Sequence, residues 1–216
     1  MREAYFVNDH KYMIDLFSGL GGASEAFVND DEWMVHRFDN NPLLEEIEYT
    51  HITDNMFLDA EKLCIFLCNG YGKQVDLIWA SPPCTDFSSA YNAPKSKKSR
   101  GEKGFENWKP DFELLKSTIQ FITLHRPKYW VIENVAGSIK MFEKYLGKPT
   151  QIIGSQVLWG NFPFIMLSPN FKKNKSDGES WSSDPLRANK RAKVPYEISQ
   201  GLKIAIIEQR TLWEWV

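Results

Sequence analysis

The sequence predicts an α/β fold with a mostly parallel, doubly wound sheet, and three observations predict it. Short apolar runs of strand length recur at residues 11–17, 33–38, 74–80 and 129–135. Stretches with helical spacing of apolar residues separate them. The chemically conspicuous groups fall just after the runs, where the carboxyl ends of strands in an open α/β sheet bind ligands.

Taken in order, the run 11–17 leads into Ser18, Gly19, Leu20, Gly21 and Gly22, and the residues that follow place Ala23, Ala26 and Phe27 on one helical face. Strand, glycine turn and helix therefore succeed one another. The run 33–38 alternates and reaches Asp39 before Asn40, Asn41 and Pro42, which reads as a second strand and a turn. A helix from about Leu43 and a brief third strand over 49–52 are expected next. Within 58–68, Leu63, Phe66 and Leu67 share a helical side ahead of a turn at Asn69 and Gly70. The run 74–80 suits a central parallel strand and stops at Ser81, Pro82, Pro83 and Cys84, because prolines cannot continue a central ladder.

Residues 88–109 are polar, rich in Lys, Ser and Gly, and long for a connection, which marks a functional or mobile loop. Phe112, Leu115, Ile119, Ile122 and Leu124 predict a helix over 111–125, ended by Pro127, and 129–135 forms a further buried strand. Strands are then expected around Ile152 and Phe164, irregular chain over 168–193, and a helix over 195–215 through Ile198, Leu202, Ala205 and Ile206. Pro195 is acceptable in its first turn. The organisation is a core over 1–167, a short polar insertion over 168–193, and a C-terminal helix within 194–216 that completes the core.

A length of 216 residues is enough for one ordinary α/β core. Three cysteines, Cys64, Cys68 and Cys84, make no framework of paired bridges and indicate a reducing compartment, so the cytoplasm is expected. The N-terminal residues show no apolar run of signal-peptide length, and nothing approaches the roughly 20 apolar residues of a membrane span. No membrane association is expected. The net charge of −2 conceals an uneven distribution: residues 25–61 hold eleven acids against Arg37 alone. Bases cluster at Lys95, Lys97, Lys98, Arg100 and Lys103, at Lys172, Lys173 and Lys175, and at Arg187, Lys190, Arg191 and Lys193. Each cluster alone could be a solvated face; three together point to a polyanion-binding surface.

The segment from Asp15 to Gly22 follows a strand and opens a helix, so its glycines let backbone amides approach a ligand. Asp39, at the next strand end, is placed to hold ribose hydroxyls. Neither a phosphate-loop Lys-Ser pattern nor GxGxxG spacing is present. Cys84 stands just past a strand in a rigid turn, where core packing gains little, whereas Cys64 and Cys68 lie four apart in an apolar helix and read as core. His10, His36, His51 and His125 have no ligand spacing, so no metal is expected. Glu133 and Asn134 emerge at the end of a hydrophobic strand. A thiol and a carboxyl at neighbouring strand ends suit one reaction: sulfur adds at carbon 6 of a cytosine, while the carboxyl stabilises charge gathering at ring nitrogen 3, which activates carbon 5.

These segments resemble the cytosine-5 DNA methyltransferase family. Its first cofactor motif matches Asp-Leu-Phe-Ser-Gly-Leu-Gly-Gly at 15–22, its nucleophile motif matches the stretch beginning Ser81-Pro82-Pro83-Cys84, and its carboxylate motif matches Glu133-Asn134-Val135. The resemblance implies a Rossmann-like fold dependent on S-adenosyl-L-methionine. It assigns Asp15, Phe17, Ser18, Gly19, Leu20, Gly21, Gly22 and Pro82 to the cofactor's surroundings, Asp39 to its ribose and Asn40 to the neighbourhood of its adenine. Cys84 would attack carbon 6, Glu133 would bond nitrogen 3, and Pro83 and Asn134 would shape the catalytic pocket.

The chain departs from the family pattern in four places. The usual Gly-Asp-Ile is replaced by Thr50-His51-Ile52-Thr53-Asp54, so His51 or Asp54 serves the adenine contact or the contact is absent. The Gln-x-Arg-x-Arg segment is missing, with no Arg between Asn134 and Leu186, so Gln156 or Asn161 is left for part of its role. The late Gly-Asn pair is absent before Val194, and only about 25 residues stand in place of a large target-recognition region. The expected activity is cytosine-5 methylation of DNA by a compact, phage-type member, with a protein partner or self-association left open as the source of target recognition. Methylation of RNA or another cytosine substrate, and a non-catalytic nucleic-acid-binding or regulatory role, are the alternatives.

Overall fold

The computed structural model describes residues 10–90, 92–168, 171 and 183–213. Its elements run β1 (Lys11–Leu16), α1 (Glu25–Val28), β2 (Trp33–Asp39), β3 (Thr50–Ile52), α2 (Met56–Tyr71), β4 (Leu77–Ala80), α3 (Pro94–Ser99), α4 (Glu113–His125), β5 (Tyr129–Val135), α5 (Ile139–Leu146), β6 (Gln151–Ile153), β7 (Gln156–Asn161), α6 (Arg187–Ala192) and α7 (Tyr196–Trp213). The strands form one sheet in the order β3-β2-β1-β4-β5-β7-β6. The first five are parallel, and β7 runs antiparallel to both β5 and β6. This is a Rossmann-like methyltransferase fold.

Because both faces of the sheet are covered, its central strands read as continuous apolar runs. On one face Ile14, Ile78 and Ile132 pack with Ala60 and Leu67 of α2, Leu115 and Phe121 of α4, and Phe142 of α5. On the other, Met13, Leu77, Trp79 and Val131 pack with Phe27 of α1 and with Ile198, Leu202 and Ile206 of α7. The C-terminal helix is also riveted by Ser199, whose Oγ donates to Ala23 O at 2.7 Å and accepts from Ala26 N at 3.1 Å. No described helix is long and apolar enough to cross a membrane.

Several local expectations are corrected. The helix expected from Leu43 is a single 3-10 turn, Pro42–Leu44, started by Asn41 Oδ1 accepting from Leu43 N at 3.1 Å. On α2 the inward face is Met56, Ala60, Cys64 and Leu67, so Cys64 is core while Phe66 and Cys68 are exposed. Leu124 is exposed at the end of α4. No strand forms at Phe164; Gln151 instead holds that segment with its side-chain amide, donating to Ile165 O at 2.8 Å and accepting from Ile165 N at 2.9 Å. The helix α5, the short helices α3 and α6 inside stretches read as loop, and the antiparallel turn of β7 were not anticipated.

Candidate functional site

The sheet order reverses between β1 and β4, and this switch point opens a crevice beyond the strand ends. Leu16 is paired with Phe38 on one side and Ala80 on the other, and Ala80 with Ile132, so these four make one row across the sheet. The residues immediately after that row are Phe17, Asp39, Ser81 and Glu133. Register alone therefore brings the four chemically distinctive segments to one edge, where they line a cavity of about 680 Å³.

The glycine loop leaves β1 with Phe17 at φ 57°, a left-handed conformation that a bulky residue adopts at a cost of order 1–3 kcal/mol. Its support comes from below. Arg37, buried, donates from Nη2 to Gly21 O at 3.0 Å, from Nε to Ser24 Oγ at 2.8 Å and from Nη1 to Glu48 O at 2.8 Å. Ser24 Oγ in turn donates to Asp15 Oδ2 at 2.6 Å. Burial pushes the Asp15 carboxyl up to about 6, a rise that the Ser24 hydrogen bond and the Arg37 charge only partly offset. Asp15 Oδ1 and Ser18 Oγ are buried and find no hydrogen-bond partner among the described residues.

Asp39 joins the loop to the end of β2. Its Oδ2 accepts from Gly19 N at 2.9 Å and its Oδ1 from Asn41 N at 3.0 Å, which fixes the carboxylate while leaving each oxygen a further lone pair. Loop and carboxylate thus form a rigid unit with polar atoms still to be satisfied. The cavity reaches Asn40, which is exposed.

At the end of β4 the turn is held from both sides. Ser81 N donates to Leu16 O at 3.1 Å, and the buried Asn134 donates from Nδ2 to Pro82 O at 2.9 Å while accepting from Val135 N at Oδ1, also at 2.9 Å. Cys84 is half-buried and free, and its carbonyl accepts from Phe87 N and Ser88 N, so the thiol sits on a closed turn. Burial pushes this thiol up, and the charge of Glu133 adds to the rise. The two groups face one site.

Of the residues singled out from sequence, Asp15, Phe17, Ser18, Gly19, Leu20, Gly22, Asp39, Asn40, Pro82, Pro83, Cys84, Glu133 and Asn134 line the cavity. Gly21 and Asp54 do not. Gly21 lies over the Arg37 guanidinium, which a Cβ would meet at 2.4 Å, and Asp54 is exposed after β3. His51 stacks on Phe38 and His36 instead, with ring centroids 4.9 and 5.5 Å away, and does not line the cavity. Gln156, paired with Val135 across the sheet, lines it; Asn161, at the other end of β7, donates to Lys128 O at 3.0 Å. Lys172, Lys173 and Lys175 lie outside the described residues.

Sequence reading missed the wall made by α6 and the residues after it. Asn189, Arg191, Lys193 and Val194 line the cavity over the glycine loop, and a Cβ on Gly22 would lie 2.3 Å from Val194 O. The clustered bases were visible as charge but not as a wall. The loop 88–109 is likewise more ordered than its composition suggests: Lys95 Nζ donates to Gly137 O at 3.0 Å and Lys98 Nζ to Trp108 O at 2.8 Å, while Lys97 lies 5.0 Å over the Phe105 ring.

Comparison with known proteins agrees with this geometry. The family model for C-5 cytosine-specific DNA methylase matches residues 12–153, well over half of the chain. The type II methyltransferase M.HindV of Haemophilus influenzae is 33% identical over 125 residues, covering 56% of this chain and 36% of the relative. M.DdeI of Desulfomicrobium norvegicum, also a type II methyltransferase, is 30% identical over 143 residues, covering 61% and 29%. The chain spans about a third of the length of these curated relatives.

Proposed function

Since the chain belongs to the C-5 cytosine-specific DNA methylase family, we propose that it methylates carbon 5 of cytosine in DNA, with Cys84 as covalent nucleophile and Glu133 as the group that activates the ring. The observation that carries this reading is the convergence of Cys84 and Glu133 on the cavity that also contains the glycine loop and Asp39.

The resting thiol is held protonated by burial and by the Glu133 charge. With cytosine docked, the Cys84 proton passes to the Glu133 carboxylate, directly or through a water, so that Sγ bonds to carbon 6 as a thiolate while Glu133, now the acid, hydrogen-bonds ring nitrogen 3. Electron density displaced onto the ring is stabilised at nitrogen 3 by Glu133. Carbon 5 takes the methyl group, its own proton departs to a base, and the Sγ–carbon 6 bond breaks to return the thiolate. Asn134 keeps the Pro82 carbonyl, and so the cysteine turn, in place throughout. A base inside a duplex would have to be swung out of the stack to reach Cys84.

The residues present fit S-adenosyl-L-methionine. Asp39 has lone pairs for ribose hydroxyls, Ser18 Oγ and Asp15 Oδ1 lack partners, and Gly19 and Gly22 keep the loop bare. When bound, this cofactor supplies an electrophilic methyl group. The division we propose is a core over 1–167, a polar insertion over 168–193 and a closing helix within 194–216; the packing of Ile198 and Leu202 against the sheet supports it.

The test is a DNA duplex carrying 5-fluorocytosine, incubated with the cofactor. Fluorine cannot leave as a proton does, so a denaturation-resistant protein–DNA adduct should form and should be absent for Cys84→Ala. An adduct formed by a folded Cys84→Ala protein would remove the nucleophile assignment.

A further inference from the structure

Resting on the reading of the cavity as a methyl-donor site, we infer that Arg191, with Ser18 and Asp15, forms a receptor for the α-amino-acid end of the donor: Arg191 and Ser18 for its carboxylate, Asp15 for its ammonium. The charge inventory of the cavity leads there. Its acids are Asp15, Asp39 and Glu133, and the only cationic side chains lining it among the described residues are Arg191 and Lys193. Lys193 is committed to Glu25, with Nζ 2.9 Å from Oε2. Arg191 forms no ion pair with any described residue, so one guanidinium stands at the rim of an acidic cavity with its donors uncommitted.

Its position says which part of a ligand it meets. The chain from α6 to Val194 covers the glycine loop: a Cβ on Gly19 would lie 3.5 Å from Asn189 Nδ2, and one on Gly22 would strike Lys193 Cγ as well as Val194 O. Arg191 therefore belongs to the loop's end of the cavity, whereas Cys84 stands on the turn after β4 and Glu133 on β5, across the switch point. At the loop's end two further polar atoms are buried without partners, Ser18 Oγ and Asp15 Oδ1. A cation, a hydroxyl and a carboxylate around one opening complement a zwitterion; a nucleic-acid phosphate would leave the Asp15 oxygen unmatched and place a second anion beside it. Guanidinium and carboxylate also match in geometry, with paired donors to paired acceptors.

The test compares two ligands by calorimetry without any turnover. S-adenosylhomocysteine carries the α-amino-acid group; 5′-methylthioadenosine keeps the adenine, ribose and sulfur but lacks it. Wild type should bind the first more tightly. Arg191→Ala should weaken S-adenosylhomocysteine about tenfold, the low end for a charged hydrogen bond, and leave 5′-methylthioadenosine unchanged. Arg191→Lys, which keeps the charge but not the fork, should recover part of the loss. Because Arg191 is exposed, a melting curve should show both variants folded. If Arg191→Ala changes the two ligands equally, or neither, the receptor is overturned; weakened DNA binding alone would place Arg191 against phosphate instead. Failure of wild type to bind either ligand would overturn the donor-site reading itself, a result distinct from both.

Discussion

Replacing Asn134 by Ala removes a side chain that ties β5 to the cysteine turn. Two hydrogen bonds disappear, Nδ2 to Pro82 O and Val135 N to Oδ1, both 2.9 Å long and made by a side chain only 1% exposed. Each buried group left unpaired costs about 1–3 kcal/mol, so a loss of about 2–4 kcal/mol in unfolding free energy is expected, allowing for partial relaxation. Urea unfolding with an unchanged slope would measure it. Turnover should fall further than stability accounts for, because Pro82 is two residues from Cys84, while affinity for S-adenosylhomocysteine should hold. Asn134→Asp sharpens the case: it keeps the acceptor for Val135 N but turns a carboxylate oxygen toward the Pro82 carbonyl, so it should be worse than Ala at neutral pH and improve on acidification. A change under about 0.5 kcal/mol in Asn134→Ala, the range of an ordinary surface substitution, together with normal turnover, would refute the rivet.

Glu133→Gln should separate reactivity from catalysis, since the charge that helps to hold the Cys84 thiol up is gone: alkylation at mildly alkaline pH should become faster while methylation is lost, and slower alkylation would contradict the pairing of these groups. Asp15, raised to about 6 from an ordinary 3.8, binds its proton more tightly folded than unfolded, so it contributes stability fully present below pH 3.8 and lost as pH rises through 6. That loss is about 3 kcal/mol at most by linkage. The difference in unfolding free energy between wild type and Asp15→Asn should therefore drift across this window, and a flat difference would show that Asp15 is not so perturbed. Asp39→Ala strips the acceptors from Gly19 N and Asn41 N, and S-adenosylhomocysteine binding should weaken by about 1–3 kcal/mol; unchanged affinity would take Asp39 out of the site.

The parts of the site legible in the sequence are those that register enforces. A buried parallel strand needs an apolar run, and the first polar residue after it marks where the sheet row ends; that is why Asp39, the turn at Ser81 and Glu133 could be placed together. Contacts between distant segments left weaker marks. Arg37 was visible only as a lone base among acids, yet it holds the glycine loop through Ser24 and Gly21 O. Phe66 and Leu124 were taken inward because an apolar side chain gives no sign of which of two adjacent helical stripes is buried; on α2 the small residues Ala60 and Cys64 face the core instead. The helix α5 did carry a signal, with Ile139, Phe142 and Leu146 on one side, but eight residues is too short for periodicity to stand out. Asn189 and Val194 had no motif at all, since their place over Gly19 and Gly22 is set by how the chain before α7 packs on the glycine loop.

The loop 88–109 carries more local structure than its composition suggests. Lysines, serines and glycines suggested a functional or mobile loop. The chain instead contains α3, and its seat is tight: a Cβ on Gly137 would lie 2.1 Å from Phe87 O, so the segment after Cys84 rests directly on the turn after β5. Three of its bases are occupied within the segment or against that turn, Arg100 by Glu102, Lys98 by Trp108 O and Lys95 by Gly137 O. Exposed pairs of this kind are worth about 0–1 kcal/mol each, so an arriving phosphate could exchange with them at little cost. A base contact to a phosphate, where it forms, positions a polynucleotide without reading its sequence. Choice of target must then come from elsewhere than these lysines.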